Sequence, residues 1–379
     1  DTHAYPEWIV RPCTSDLVRA LGLERHLRRV HIKKAVPAQI EEFHDPEYLA
    51  ALRAASARDY RVGWGRCRGE SSVGAAGAGD SRSPSVGRLS NSKHCNNDFR
   101  NANESATFEE DDSGSDSSTT LSAEDCGLTP GKTFPGCWPT SCVLVGASLT
   151  ASQELRMMHR CKHALVANWL GGLGAGASTD ACMGQCYLND LVLSVMDLRK
   201  TFDTVAVVTI GSAHNSAVQE AFEYSNSVLT CSLHRYERKS SHFASGRRKE
   251  RGKGAGHLAN LNVPLKSGAS DATLLQISQA IANSLCEAQW PQAMVISIAA
   301  TAVSGGAGGI VKLNFTPQGV ATAVKVLLST VKVPTLLLGA PVSVGDSALL
   351  QTAAHADGPR HARLWALVLG EAVAARKGG

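Results

Sequence analysis

No uninterrupted apolar run reaches the roughly 18 residues that mark a membrane-spanning helix. The first twenty residues, DTHAYPEWIVRPCTSDLVRA, carry charges where a signal peptide needs an apolar stretch. Neither secretion nor membrane insertion is expected. The chain starts with Asp rather than Met, so residues of the native protein are expected to precede it. Aromatic residues are scarce (5%) and charged residues are only 19%, which with 35 glycines and no triplet repeat argues against a coiled coil or a collagen. The charge balance, 38 basic against 34 acidic side chains, is too even to indicate nucleic acid by itself, so a polyanion site would need local clustering. Eleven cysteines are an odd number without a paired framework, which favours free thiols in a reducing compartment. Cys182 and Cys186, four apart, and Cys137 and Cys142, five apart, lack a second pair at zinc-finger spacing and read as small buried hydrophobes.

What is present suits a sizeable core: 43% of the 379 residues are hydrophobic, enough for one large α/β domain or two small ones. Residues 14–58 read as helical, with apolar sets at Leu17, Leu21 and Leu23 and at Phe43, Tyr48, Leu49 and Leu52. Asp45-Pro46 supplies a cap followed by proline in the first turn. Residues 66–123 are rich in Gly and Ser, then acidic, with few aliphatic side chains to offset the entropy of ordering, and read as a disordered insertion.

From Val143 onward, helix and strand patterns alternate. SLTASQELRMMH, NDLVLSVMDLRKTF, LLQISQAIANSLC and GVATAVKVLLSTV read as helices. HALVANW, VAVVTI (205–210), SVLTCSL (227–233), AMVISIAA and PTLLLGA read as strands. The strands are short and continuously apolar, as in a parallel sheet covered on both faces. The expected fold is three-layer α/β/α around a mostly parallel sheet, with any site beyond the strands' carboxyl ends. Those ends lie after Trp169, Ile210, Leu233, Ala300 and Leu338.

Two of those ends read GGLGAGASTDACMGQCYLND and GSAHNSAVQEAF. With ALVANW before and FEYSNSVLTCSLHRY after, the chain resembles the class I, RPD3-like histone deacetylases, a zinc-dependent family with an arginase-like fold. The resemblance spans nearly the whole chain: Pro6 and Arg11, EEFHDPEYLAAL (41–52), EDCGLTPG (124–131), VANWLGGL (166–173), QCYLND (185–190), VQEAF (218–222), VLTCSLHRY (228–236), VPL (263–265), LNFTPQG (313–319) and VPTLLLG (333–339). It implies a single domain over residues 1–379. Most of what matches is scaffold.

The resemblance also implies a metal-bound water held by an Asp, a His and a second Asp. Aligned on VQEAF, the first two ligand positions are Gly211 and Ala213, and the third is Thr301. The family's two consecutive histidines fall on Gly174 and Ala175, within Gly174–Ala177, and the aspartates that orient them on Thr209 and Ser216. The transition-state tyrosine falls on Ser343, and an aromatic of the acyl-lysine channel on Gln185. Gly and Ala offer no lone pair to a metal, and the acid/base set is missing with the ligands. No catalytic residue, metal ligand or cofactor is therefore expected, and deacetylation by the family's route is expected to be undetectable. A rearranged site, if active, would need zinc.

Asp125 matches a rim carboxylate that holds substrate backbone in the family, although a turn-forming Asp gives the same sequence. His214 matches a strand-end histidine that is not a metal ligand, and a packed His explains it equally. Asp125, Gln185 and His214 remain the residues of a substrate-like pocket. Residues 235–254 form a basic loop, with Arg235, Arg238, Lys239, Arg247, Arg248, Lys249, Arg251 and Lys253 against Glu237 and Glu250. Arg247, Arg248, Lys249, Arg251 and Lys253 are candidates for a polyanion or nuclear-import contact, with an ordinary solvated loop as the plain reading. The run Glu109–Asp112 followed by Ser113, Ser115, Ser117 and Ser118 resembles an acidophilic kinase site.

The expected function is that of a catalytically inactive deacetylase homologue, a structural or regulatory subunit of a chromatin complex. Expected partners are proteins, an active deacetylase or corepressor subunits among them, with a histone tail or an inositol phosphate as further ligands. The expected location is nuclear, with the cytoplasm as an alternative. The rivals are an active zinc deacetylase with rearranged ligands and a non-catalytic acyl-lysine peptide binder.

Overall fold

A computed structural model describes residues 13–57, 122–129, 132–172, 174–184, 186–239, 244–304, 312–340 and 347–377. Gln185, Ser343, His242, the acidic serine run and all of the 66–123 stretch except Ser122 and Ala123 lie outside the described residues.

Six strands make one sheet among the described residues: β1 (Leu165–Asn168), β2 (Val205–Ile210), β3 (Val228–Arg235), β4 (Asn260–Leu265), β5 (Ala293–Ala299) and β6 (Thr335–Ala340). Their order is β1-β6-β5-β2-β3-β4, and every pairing is parallel. The fold is therefore the expected α/β architecture. β2, VAVVTI, is buried at all six positions because helices cover both of its faces.

Side-chain alternation sends Ala206, Val208, Ile210, Met294, Ile296 and Ile298 to one face. There they meet α7 (Asp271–Ala288), α8 (Pro317–Thr330) and α9 (Ser347–Lys377), with Trp365 at the centre. Val205, Val207, Val295, Leu336 and Leu338 face α4 (Cys137–Met157) and α5 (Asp190–Arg199) on the other side. A third cluster, with Ile40, Tyr48, Leu49 and Leu52, packs beside α4 and holds Cys126, Cys137 and Cys142 as buried apolar groups. Local signals set several boundaries. Thr316 caps α8 by accepting from Gly319 N at 2.9 Å, with Pro317 as the first helical residue.

The helical reading of residues 14–58 holds in part: a helix does start at Pro46, but the region before it is broken. The chain there divides into α1 (Cys13–Ala20), a 3-10 turn (Leu23–His26), α2 (Pro37–Ile40) and α3 (Pro46–Ala57). Gly22, at φ 66°, and Pro37 and Pro46 punctuate it. α4 starts at Cys137 rather than Ser148, and β4, α6 (Ser216–Phe222) and α9 carry no strong periodic signal in the sequence. Arg235 is not part of the exposed basic loop: it ends β3, is 4% exposed and pairs with Glu237.

Candidate functional site at the carboxyl ends of the strands

From β2 the chain winds outward to β3 and β4, and from β5 it winds the opposite way to β6. A parallel sheet opens a cleft where this direction reverses, beyond the carboxyl ends of β2 and β5. The residues delivered there are Gly211, Ser212, Ala213 and His214 after β2, and Ala300, Thr301 and Ala302 after β5. Gly211, Ala213 and Thr301 thus lie on the two segments that flank the switch point. The Ser212 hydroxyl donates to Thr301 Oγ1 at 2.9 Å, and both residues are almost fully buried. Thr209, the second-last residue of β2, is buried, and Ser216 opens α6, half-buried.

The glycine-rich stretch after β1 is folded onto a buried carboxylate. Asp190, at the start of α5, accepts from Gly172 N at 2.6 Å, Gly174 N at 3.0 Å and the Ser148 hydroxyl at 2.6 Å. Burial raises its pKa, and those three hydrogen bonds act against the rise. Asn189, the N-cap of α5, accepts from Val192 N at 3.0 Å and donates to Ala177 O at 2.8 Å, tying down the other end of the stretch. A Cβ at Gly174 would stand 1.5 Å from Leu188 O, and Ala175 and Ala177 are buried. At the sequence positions where the resemblance implies two imidazoles, Gly174 leaves no room for a side chain and Ala175 is a buried methyl.

Asp190→Ala would leave two buried N–H groups and one hydroxyl without their acceptor, each worth about 1 kcal/mol or more. The expected loss is about 3 kcal/mol in urea unfolding, with Asp190→Asn milder because one acceptor oxygen remains. Equal stability of all three proteins would refute this role.

Sequence reasoning did not find His44. Its Nε2 accepts from Asn189 N at 2.9 Å and its Nδ1 faces Thr179 O at 3.3 Å, so the ring is neutral with the proton on Nδ1. Burial brings its pKa down to about 4. The signal available was its place in EEFHDPEYLAAL, within the matched scaffold.

His214 does not stand alone: its ring packs 4.8 Å from that of His234. Burial lowers both pKa values, that of His234 to about 4. His234 bonds Ser232 Oγ at 2.9 Å and Gly246 O at 3.0 Å, and a Cβ at Gly246 would strike both rings. The two histidines therefore seat the basic loop at Gly246, just before the cluster of residues 247–249. Asn260 and Asn262 extend this base, donating to Glu250 O at 2.6 Å and Arg247 O at 3.4 Å and sharing Gln219 Oε1. Arg247, Arg248, Lys249 and Arg251 project into solvent without an ion-pair partner among the described residues. Lys253 differs: its ammonium is 2.8 Å from Glu223 Oε1 and lies over the Tyr224 ring.

Asp125 is exposed and closes a local turn, accepting from the Ser122 hydroxyl at 2.6 Å and Ser122 N at 3.2 Å, which lowers its pKa. Cys182 and Cys186 behave as packed groups: burial pushes Cys182 up to about 11 and Cys186 up to about 12.

An all-parallel sheet flanked by helices, with its switch point between β2 and β5, defines an α/β protein of the kind that binds ligands at strand ends. Within that class, the model of the histone deacetylase domain matches residues 7–340, and the chain belongs to the histone deacetylase family. It is 33% identical to histone deacetylase 8 of Xenopus tropicalis over 217 residues, 57% of this chain and 55% of that protein. Histone deacetylase 8 of Xenopus laevis is 32% identical over 57% of this chain and 62% of its own length. Histone deacetylase 2 of Oryza sativa subsp. japonica is 33% identical over 57% and 40%. The chain thus spans less than two thirds of the length of these relatives. The zinc implied by the family would need carboxylate or imidazole donors at the switch point. Gly211, Ala213 and the Thr301 hydroxyl bound to Ser212 do not fit it, and no group of three or more His, Cys, Asp or Glu among the described residues is arranged to hold a metal.

Proposed function

We propose that this chain is a catalytically inactive histone deacetylase homologue that serves as a structural or regulatory subunit of a nuclear chromatin-modifying complex. The observation that carries the reading is the replacement of donors at the switch point, Gly211, Ala213 and a Ser212-bound Thr301, together with a closed glycine stretch at Gly174 and Ala175. Metal binding and general-base chemistry each supply several kcal/mol of transition-state stabilisation in metallohydrolases. A site lacking both has no route to amide hydrolysis of that type, while the scaffold remains available for partners.

Elemental analysis of the purified protein beside a fluorogenic acetyl-lysine assay tests this, with an active homologue as control. The expected result is well under one zinc per chain and no turnover above buffer. One zinc per chain with turnover would establish the active rival instead. Saturable binding of acetylated but not unmodified peptide, weakened by Asp125→Ala, would establish the peptide binder. Purification from nuclei should recover a defined complex, and an exclusively monomeric native protein would refute the subunit role.

The proposed polyanion contact belongs to Arg247, Arg248, Lys249 and Arg251, whose charges are uncompensated, more than to Lys253, which Glu223 already holds. Changing Arg247, Arg248 and Lys249 to Glu should abolish retention on heparin at 0.15 M salt, while Lys253→Ala should change it little. Equal retention of the triple variant would show that the segment is only a solvated loop.

A further inference from the structure

Residues 25–34, RHLRRVHIKK, hold five Arg or Lys and two His in ten positions and no acidic residue. From Leu27 to Val36 the chain has neither helix nor turn, and both ends of that stretch are extended backbone. It is fastened along α4 as a strap. Ala35 N donates to Cys142 O at 3.0 Å, Lys33 N donates to Thr150 Oγ1 at 3.1 Å, and Arg28 pairs with Glu154 at 2.5 Å. A Cβ at Gly146 would stand 2.1 Å from Lys33 O, so the backbone of the strap packs directly on the helix. The strap thus follows about 18 Å of α4. Its Arg28 end lies one turn from the end of that helix, where the exposed residues 159–163 add Arg160 and Lys162.

Acidic side chains answer only part of this charge: Glu154 takes Arg28 and Glu24 takes Arg29. Arg25, Lys33, Lys34, Arg160 and Lys162 are exposed and have no ion-pair partner among the described residues. Cations on a backbone already fixed to a helix form a preorganised row, so a row of anions binds without ordering the chain first. The chemistry of the surroundings separates the polyanions that could supply such a row. Ile32 and Met157, 50% and 69% exposed, stand in solvent beside it, whereas a protein partner is held by anchors seated in desolvated pockets. No Phe, Tyr or Trp lies in residues 25–34 or 157–163 on which an unpaired base could stack. What remains is charge, which a duplex presents evenly along its length. We infer that the strap and the turn after α4 bind the phosphate backbone of duplex DNA without reading its sequence. The contact is independent of the switch point and of the subunit role. Its charges are strung along α4, where those of residues 247–251 are bunched, so it is read on a rigid duplex at low salt rather than on heparin.

Binding of a fluorescent DNA duplex of about 20 base pairs, longer than the strap by the spacing of its phosphates, would be followed by anisotropy between 50 and 200 mM KCl with the full-length protein. With about five phosphates neutralised, affinity is expected to fall about 500-fold over that range. Lys33→Glu with Lys34→Glu, both at exposed positions, should weaken binding at 50 mM about a hundredfold and flatten the salt dependence, with the melting temperature retained. The same change of net charge at Lys266 and Lys312, exposed beside β4 and α8, should alter it less than about threefold. The inference is overturned by a salt dependence of fewer than about two phosphates, by an equal effect of the two double variants, or by tighter binding of single-stranded DNA. Tighter binding of polyglutamate than of the duplex at the same salt would overturn it too, and would make the strap a contact for an acidic protein. Should the Lys33, Lys34 variant fail to fold, Arg160→Glu alone, expected to cost about tenfold, decides.

Discussion

Gly174→Ala should cost this protein on the order of 4 kcal/mol or more, among the largest effects a single methyl group can have. The added carbon would fall 1.5 Å from Leu188 O, and backbone, unlike the tip of a flexible side chain, has little room to withdraw. Retreat is opposed from both sides of the contact. Gly174 N is bonded to Asp190 at 3.0 Å, and Asn189, next to Leu188, is fastened by its own side chain and by His44. Gly174→His, which restores the imidazole implied by the family resemblance, should be worse still and should recover no activity. Gly370→Ala is the control: it sits inside α9 with nothing within 4 Å of the added carbon and should stabilise by up to about 1 kcal/mol. Urea midpoints and slopes of the three variants decide the matter. A Gly174→Ala protein within about 0.5 kcal/mol of the parent would mean that the stretch is not packed as described.

The second large effect is acid lability well above the pH at which exposed carboxylates titrate. His44, His234 and His361 are buried and neutral, and burial holds each near pKa 4, against 6.5 in an unfolded chain. For a depressed histidine the contribution to stability is complete above pH 6.5, where neither state binds the proton. It falls as the pH drops toward 4, because the unfolded chain takes up the proton first. By pH 5.5 each of the three should have lost about 1.4 kcal/mol, roughly 4 kcal/mol together, a large part of the 5–15 kcal/mol typical of a domain. His214, lowered by burial in the same direction, adds to the loss. Asp190 works oppositely: its raised pKa makes its charged form a cost that protonation relieves as the pH falls. The measurement is the unfolding free energy at pH 7.5, 6.5 and 5.5. A slope at pH 5.5 corresponding to about three protons taken up on unfolding is expected, and a flat profile over that range would refute the assignment.

His361 shows why such behaviour follows from the fold. It lies on α9, 1% exposed, with Nδ1 3.2 Å from the hydroxyl of Thr14 on α1, 347 residues earlier in the chain. Nothing near residue 361 in the sequence announces that contact. His234 is similar: its neighbours Ser232 and Leu233 mark it as a strand residue, but its partners Gly246 and His214 arrive from two other segments.

By itself, the sequence determined those features that depend on local periodicity and on residue type. VAVVTI, AMVISIAA and PTLLLGA read as buried parallel strands and are such strands, because a strand covered on both faces must be apolar at every position. The strand ends located the candidate site, and the absence of donors at Gly211 and Ala213 is legible directly, since neither residue type has a side-chain lone pair. Tertiary structure alone decided the remainder. It built α9 from a stretch whose apolar residues form no clean stripe, because Trp365 and its neighbours are held by packing on α8 and the sheet. Arg235 entered the core through its position in β3, although its residue type belongs to the surface. The packing of the 174–177 stretch depends on Asp190, Asn189 and Leu188, which reach it only once α5 has packed against α4 and β2. Contacts of this kind join residues through space, and their energies depend on distances that no one-dimensional pattern encodes.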